Sequence, residues 1–187
     1  MTNVLILGAS GQIARHVLDM LAGDKQLALT LFVRNPARLG QVPANARVVP
    51  GDALNPAQLG AAMRGQDIVY VNLAGEDLDI QAKAVIAAMQ AAGVRRLIFV
   101  LGLGIYDEVP GKFGIWNDEI IGEELKPFRR AADAIEATGL DHTLLRPAWL
   151  TDEDEVDYET TARDETFKGT VISRKSVADL IARVIRN

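Results

Sequence analysis

The chain has 187 residues, 49% of them hydrophobic, and a formal net charge of −5. That is enough apolar material for one full-sized core, so a single domain is expected. The acidic balance, with no basic tract, excludes non-specific nucleic-acid binding, and the lack of cysteine excludes disulfides, thiolate metal sites and a cysteine nucleophile.

No apolar run approaches the length of a membrane span, and residues 1–3 lead directly into an apolar strand. A cytoplasmic location away from membranes is therefore expected. Composition sets no oligomeric state.

Along the chain, short apolar runs alternate with longer helical patterns, the signature of a parallel sheet covered on both faces. Residues 3–7 are a continuous apolar strand, followed by a glycine-punctuated turn over residues 8–14 and apolar spacing of helical period over residues 15–21. A second strand spans residues 28–33 and a short third one residues 47–49, which ends at Pro50, Gly51 and Asp52. Asn55 as cap and Pro56 at the first helical position predict a brief helix over residues 56–63. The fourth strand covers residues 67–73, and alanine-rich residues 79–92 form a helix that Gly93 ends.

Residues 95–101 make the fifth strand. A glycine-rich loop is expected from Gly102 to about Gly122, then a helix over residues 128–138 closed by Gly139. A sixth strand at residues 143–146 stops at Pro147. The acidic stretch over residues 152–165 reads as an exposed excursion, with room for a basic protein partner. A short closing strand over residues 167–172 and an amphipathic helix over residues 176–185 complete the chain. The expected architecture is α/β: a Rossmann-like, doubly wound, mostly parallel sheet with helices on both faces. Loops at about 102–122 and 147–172 would build the substrate region.

The opening unit points to chemistry. A buried strand, a tight glycine turn and a helix N-terminus in that order bind a nucleotide pyrophosphate, because the first helical N–H groups are unpaired and carry partial positive charge. Gly8 supplies the turn, Ser10 lies within it, and Gly11 lets the first helical turn, with Gln12 and Ile13, approach the phosphates. Ala14 is small enough for close helix–sheet packing.

Arg34 follows the second strand, where such a fold usually has an acidic residue on the adenosine ribose. An arginine cannot accept those bonds but can pair with a 2′-phosphate, a charge-assisted contact of about 1.5–3 kcal/mol net. NADP(H) is accordingly expected in preference to NAD(H), with Arg38 one turn along as an assistant. Asp52 either receives the adenine amino group, beside Ala53, or caps the next turn. Asn72, Leu73, Ala74 and Gly75 end the fourth strand, where the backbone passes close to a ribose.

Taken together, the chain resembles the NmrA-like, NAD(P)H-binding type of atypical short-chain dehydrogenase/reductase. The resemblance rests on Gly8, Gly11 and Ala14 in a Gly-x-x-Gly-x-x-Ala turn, on residues 33–36 and 51–52, on residues 137–147, and on the last-helix entry at residues 172–178. It implies a Rossmann fold, a bound NAD(P)(H) and a small-molecule substrate. Active members of the wider superfamily use a Tyr-x-x-x-Lys pair on the helix after the fifth strand. The corresponding window here is residues 125–129, with Leu125 and Arg129 at its ends, and no serine follows the fifth strand. Loss of a positioned acid removes a factor of about 10²–10⁴ in rate.

Tyr106 is the remaining candidate acid, with an aromatic lid as its alternative role. Trp116 and Trp149 either line the pocket or cover the core. His16 and His142 read as structural or solvated, and no cluster has metal-ligand spacing. Two functions are expected in order: an NADPH-dependent reductase of a small conjugated or quinone-like acceptor, then a non-catalytic NADP(H)-binding redox sensor. Epimerase or dehydratase chemistry ranks below both, since it needs the same missing tyrosine.

Overall fold

The computed structural model describes residues 1–187. Strands β1 (Thr2–Leu7), β2 (Leu27–Val33), β3 (Ala46–Pro50), β4 (Ile68–Val71), β5 (Arg96–Val100) and β6 (Asp141–Leu145) form one sheet. Helices α1 (Gln12–Leu21), α2 (Pro56–Met63), α3 (Leu78–Ala92), α4 (Gly111–Glu136) and α5 (Arg174–Arg186) cover it. Strand order is β3-β2-β1-β4-β5-β6 and every pairing is parallel, the doubly wound Rossmann arrangement. Separate strands β7 (Trp149–Thr151) and β8 (Val171–Ser173) pair in parallel.

The alternation in β1 explains how both faces are covered. Val4 and Ile6 pack on one face with Val17 and Leu21 of α1 and Val177 and Ile181 of α5. Leu5 and Leu7 pack on the other with α2, α3 and α4, through Leu59, Val85, Met89 and Ile135. All four strand residues are fully buried. Each such side chain contributes about 1.5–3 kcal/mol by leaving water, which anchors β1 at the centre of the sheet.

Local chemistry sets the ends. Asn55 Oδ1 accepts from the Gln58 N–H at 3.1 Å with Pro56 in the first helical position, as the sequence predicts. Gly93 ends α3 in the left-handed region at φ 72°. Ser173 Oγ accepts from the Ser176 N–H at 2.9 Å and starts α5.

One expectation fails. The segment expected as a loop over 102–122 is loop only over residues 101–110; from Gly111 the chain is helical without a break to Glu136, so the helix expected over 128–138 starts far earlier. Glycines suggested a loop, yet Phe113, Asn117, Ile121, Leu125 and Phe128 recur at helical spacing and face inward wholly or in part. Even Pro127 is accommodated inside α4. The substrate region expected at 102–122 and 147–172 therefore comprises a short loop, the first half of a helix and the β7–β8 excursion.

The acidic excursion is exposed, as expected, but it is also tied down. Asp152 pairs with Arg174 at 2.7 Å and Asp154 with Lys175. Ser176 Oγ receives the Asp157 N–H at 3.0 Å, and Tyr158 OH donates to Asp179 at 2.8 Å. No helix is long and apolar enough to cross a membrane.

Candidate functional site

Because all six strands run one way, the segments that follow them meet along a single edge of the sheet. The strand order reverses there, β2 and β3 lying on one side of β1 and β4 to β6 on the other, which is where open α/β sheets bind ligands. Gly8 takes φ 76°, and the Gly11 N–H donates to its carbonyl at 3.0 Å, closing the turn. Gly11 is the N-cap of α1 without any side-chain cap, and the first turn carries no acidic residue. The first helical bond runs from the Arg15 N–H to Gly11 O, so the N–H groups of Gln12, Ile13 and Ala14 have no protein acceptor. Three free donors at a helix start form an anion cradle.

Asn72, at the end of β4, shapes this cradle. A Cβ on Gly8 would lie 2.2 Å from the Asn72 carbonyl oxygen, and one on Gly11 would lie 2.3 Å from Asn72 Nδ2. At Gly8 the obstacle is backbone and the residue sits at positive φ, so the fold itself requires glycine there; at Gly11 it is the tip of a side chain. Sequence reasoning placed Asn72, Leu73, Ala74 and Gly75 at this edge through their backbone, but not the Asn72 side chain against the glycine turn, a contact across some sixty positions that no local pattern announces. Leu73 is half-buried, while Ala74 and Gly75 are exposed.

Arg34 stands exposed directly after β2, with no hydrogen bond or ion pair to the protein. Asn35 Oδ1 accepts from the Ala37 N–H and starts the turn that carries Arg38, also exposed. Arg15, on α1, donates to the Arg38 carbonyl at 2.8 Å and brings a third guanidinium to this corner. Its role is tertiary, and the sequence reading did not contain it. Asp52 Oδ1 accepts from the Leu54 N–H at 2.9 Å, so the side chain caps its turn. Ala53 is buried beside it.

The far half of the edge is built by 101–110, the first half of α4 and the segment after β6. Leu125 packs against Gly102, and Asn117 against Gly104. Arg129 turns away, donating to Ile105 O at 2.9 Å and pairing with Asp133. Hence neither end of the 125–129 window presents a tyrosine or lysine. Trp149 Nε1 donates to Asn117 Oδ1 at 2.9 Å, and its ring lies 4.9 Å from that of Trp116, which stacks on Phe113 at 5.8 Å.

Tyr106 is held apart from these aromatics. Its hydroxyl donates to Glu136 Oε1 at 2.7 Å, and the guanidinium groups of Arg129, Arg146 and Arg163 lie within 5.0 Å of its ring. A cavity of about 490 Å³ opens beside it, lined by Arg129, Arg163 and acidic residues. A second cavity, of about 590 Å³, lies along β6, α5 and the excursion, and includes no residue of the glycine turn.

Burial, with the Glu136 hydrogen bond, pushes the Tyr106 pKa up to about 12. Burial also raises Tyr158, with Asp179 adding to it, and raises Tyr70 very far. The fold favours the neutral phenols, so this contribution is complete below the ordinary value of 10.0 and is lost as pH rises through 10 towards the folded values. Absorbance titration of the native protein should show no full tyrosinate step near pH 10, ionisation arriving together with alkaline unfolding. A complete one-tyrosine step at pH 10 with the fold intact would contradict this.

No group of three or more His, Asp or Glu side chains converges in a metal-binding arrangement. A family model described as NAD(P)H-binding matches residues 8–187. A Rossmann-fold NAD(P)-binding family protein from Shigella flexneri is 60% identical with a TM-score of 0.88, over 100% of this chain and 87% of that one. An uncharacterized sugar epimerase, YhfK, from Bacillus subtilis (strain 168) is 29% identical over 195 residues, which span 95% of this chain and 85% of YhfK. A Streptomyces griseus protein named (4-alkanoyl-5-oxo-2,5-dihydrofuran-3-yl)methyl phosphate reductase is 33% identical over 95 residues, 51% of this chain and 33% of its own length. With the glycine cradle, the strand order and a family match over nearly its whole length, the chain belongs to the NAD(P)H-binding family, of the NmrA-like, atypical short-chain dehydrogenase/reductase type.

Proposed function

We propose that the protein is an NADPH-dependent reductase of a small conjugated or quinone-like acceptor, working in the cytoplasm. One observation carries the cofactor part: Arg34 and Arg38 stand exposed and unpaired beside a cradle of three free N–H groups. That donor set suits a dinucleotide with an extra phosphate. The N–H groups of Gln12, Ile13 and Ala14, within the turn of Gly8, Ser10 and Gly11, would hold the pyrophosphate, and Arg34 the 2′-phosphate. Asp52 and Ala53 would flank the adenine, and Leu73, Ala74 and Gly75 a ribose.

When bound, the reduced nicotinamide supplies a hydride to an electrophilic carbon. The chain's own part is to position the acceptor, exclude water from it and steady the charge that develops on it. Tyr106, the acid expected from sequence, would have to leave Glu136, and a pKa near 12 makes it a reluctant donor. The balancing proton is therefore assigned to water. The Streptomyces relative named as a reductase of an unsaturated, carbonyl-bearing ring supports this substrate class.

The second reading is a non-catalytic module that reports the NADP(H) redox state to a protein partner. Leu125 and Arg129, in place of the tyrosine–lysine pair, favour it. Epimerase chemistry, which the name of YhfK suggests for that protein, needs the absent tyrosine and ranks lower.

Titration with NADPH and NADH, followed by nicotinamide fluorescence and by heat, tests the cofactor assignment. NADPH should bind about ten- to a hundredfold more tightly, and Arg34→Ala should abolish the difference while sparing NADH. Equal binding of the two would remove the role of Arg34; binding of neither would overturn the whole reading. NADPH oxidation across quinones, flavins and enals then separates the two functions. Turnover supports the reductase, whereas its absence, with a partner affinity that follows cofactor redox state, supports the sensor.

A further inference from the structure

The acceptor side of the site holds one polar group that the fold leaves unused. Asn117 lies in the second turn of α4 and is only 2% exposed. Its oxygen accepts from the Trp149 indole. Because an indole N–H only donates, this bond fixes which way the amide points, and Nδ2 must face away from Trp149. No protein group accepts from Nδ2. The unpartnered side-chain atoms that are wholly enclosed are Asn45 Oδ1, Gln66 Oε1 and Tyr70 OH. Asn117 Nδ2 is not among them, so the sliver of Asn117 open to the surface includes this nitrogen.

Its surroundings face the ligand edge. Nδ2 lies over Gly104, where a Cβ would come within 2.7 Å of it. Gly104 follows β5 and Trp149 follows β6, so both stand at the same sheet edge as the glycine cradle. Beside the amide the Trp149 and Trp116 rings form an apolar corner, their planes tilted 43° to one another, and Trp116 is 43% exposed. A free amide N–H next to an open aromatic surface is complementary to a flat molecule that carries a carbonyl oxygen.

We propose that Asn117 is the hydrogen-bond donor of the acceptor site, gripping a carbonyl oxygen of a flat conjugated acceptor laid against Trp116 and Trp149. Trp149 is a positioning residue, acting through the orientation of the amide. The chemistry rests on the reductase reading above, though the binding does not. Hydride from NADPH adds to the carbon at the far end of the conjugated system. The electron pair displaced from the C=C–C=O unit moves onto the carbonyl oxygen, water supplies the proton, and NADP⁺ leaves. Asn117 stabilises the oxygen as its charge grows, without itself changing protonation state.

Trp116 and Trp149 are the chain's two tryptophans, so intrinsic fluorescence reports on this site directly. The probes are 1,4-naphthoquinone and naphthalene, equally flat, with and without carbonyl groups, added to protein containing NADP⁺ so that no turnover occurs. Asn117→Leu should weaken naphthoquinone binding about tenfold and leave naphthalene unchanged. Trp149→Phe, which keeps a ring but removes the N–H, should weaken naphthoquinone selectively, and Asn117→Asp should do so through repulsion. Asn117→Leu may be replaced by these two variants if it does not fold. Unchanged naphthoquinone affinity in folded variants, or equal losses for both probes, would overturn the proposal. Failure of NADPH to bind in the separate titration would remove the reductase reading and leave the carbonyl preference standing or falling by its own result.

Discussion

Glu108→Ala is expected to lower the thermal unfolding midpoint by about 6–20 °C, from a loss of about 3–5 kcal/mol. The Glu108 and Arg146 side chains are 4% and 10% exposed, and they pair at 2.7 Å. Oε1 of Glu108 also accepts from the Gly104 N–H at 3.1 Å, and Oε2 from the Tyr106 N–H at 2.9 Å. Its own carbonyl receives the Phe167 N–H at 3.0 Å. One residue thus ties the loop after β5 to the end of β6 and to the excursion. Alanine would strand a nearly buried guanidinium and two backbone donors at once. Glu108→Gln keeps one acceptor oxygen but loses the charge and turns the other oxygen into a donor that faces a donor, the Tyr106 N–H if Oε1 is the oxygen retained, so a smaller loss of about 1–3 kcal/mol is expected. Circular dichroism melts of the two variants check the order. An alanine variant that melts with the wild type would show that Glu108 is not a structural hub.

Gly8→Ala comes next, with an expected fall of about 4–20 °C in the same measurement. A left-handed backbone costs an L-residue about 1–2 kcal/mol, and forcing a methyl into occupied space adds about 1–3 kcal/mol. Here the obstacle is the Asn72 carbonyl oxygen at 2.2 Å, which is backbone and cannot swing aside. Gly11→Ala meets the Asn72 amide instead, a side chain with somewhere to go. The Gly11 variant should therefore melt closer to the wild type while both variants lose affinity for NADPH and NADH alike. That pattern separates cradle damage from loss of Arg34, which should affect NADPH alone. A Gly8→Ala protein with an unchanged midpoint would mean the turn relaxes in a way its contacts do not allow.

The failure over 111–122 is instructive about what glycine signifies. Gly111, Gly114 and Gly122 suggested a loop because glycine disfavours helix by about 1 kcal/mol per residue. That is a weak preference. The inward series of Phe113, Asn117, Ile121, Leu125 and Phe128 outweighs it once a sheet is there to receive it. The acidic excursion shows the converse: its exposure follows from composition, whereas its tethering to Arg174, Lys175, Ser176 and Asp179 requires α5 to be in place.

The strand–turn–helix that opens the chain, the alternation of β and α, the cap at Asn55 and the position of Arg34 after β2 were all determined by the sequence. Each depends on residues within a few positions of one another, and short-range periodicity and turn chemistry record such relations. Only the tertiary structure decided that Asn72 fills the space over Gly8 and Gly11, that Arg15 joins the Arg34 corner, that Glu136 holds the Tyr106 hydroxyl and that Trp149 orients Asn117. Those contacts bring together residues far apart in the chain, and their geometry comes from sheet register and helix packing, which no local pattern encodes.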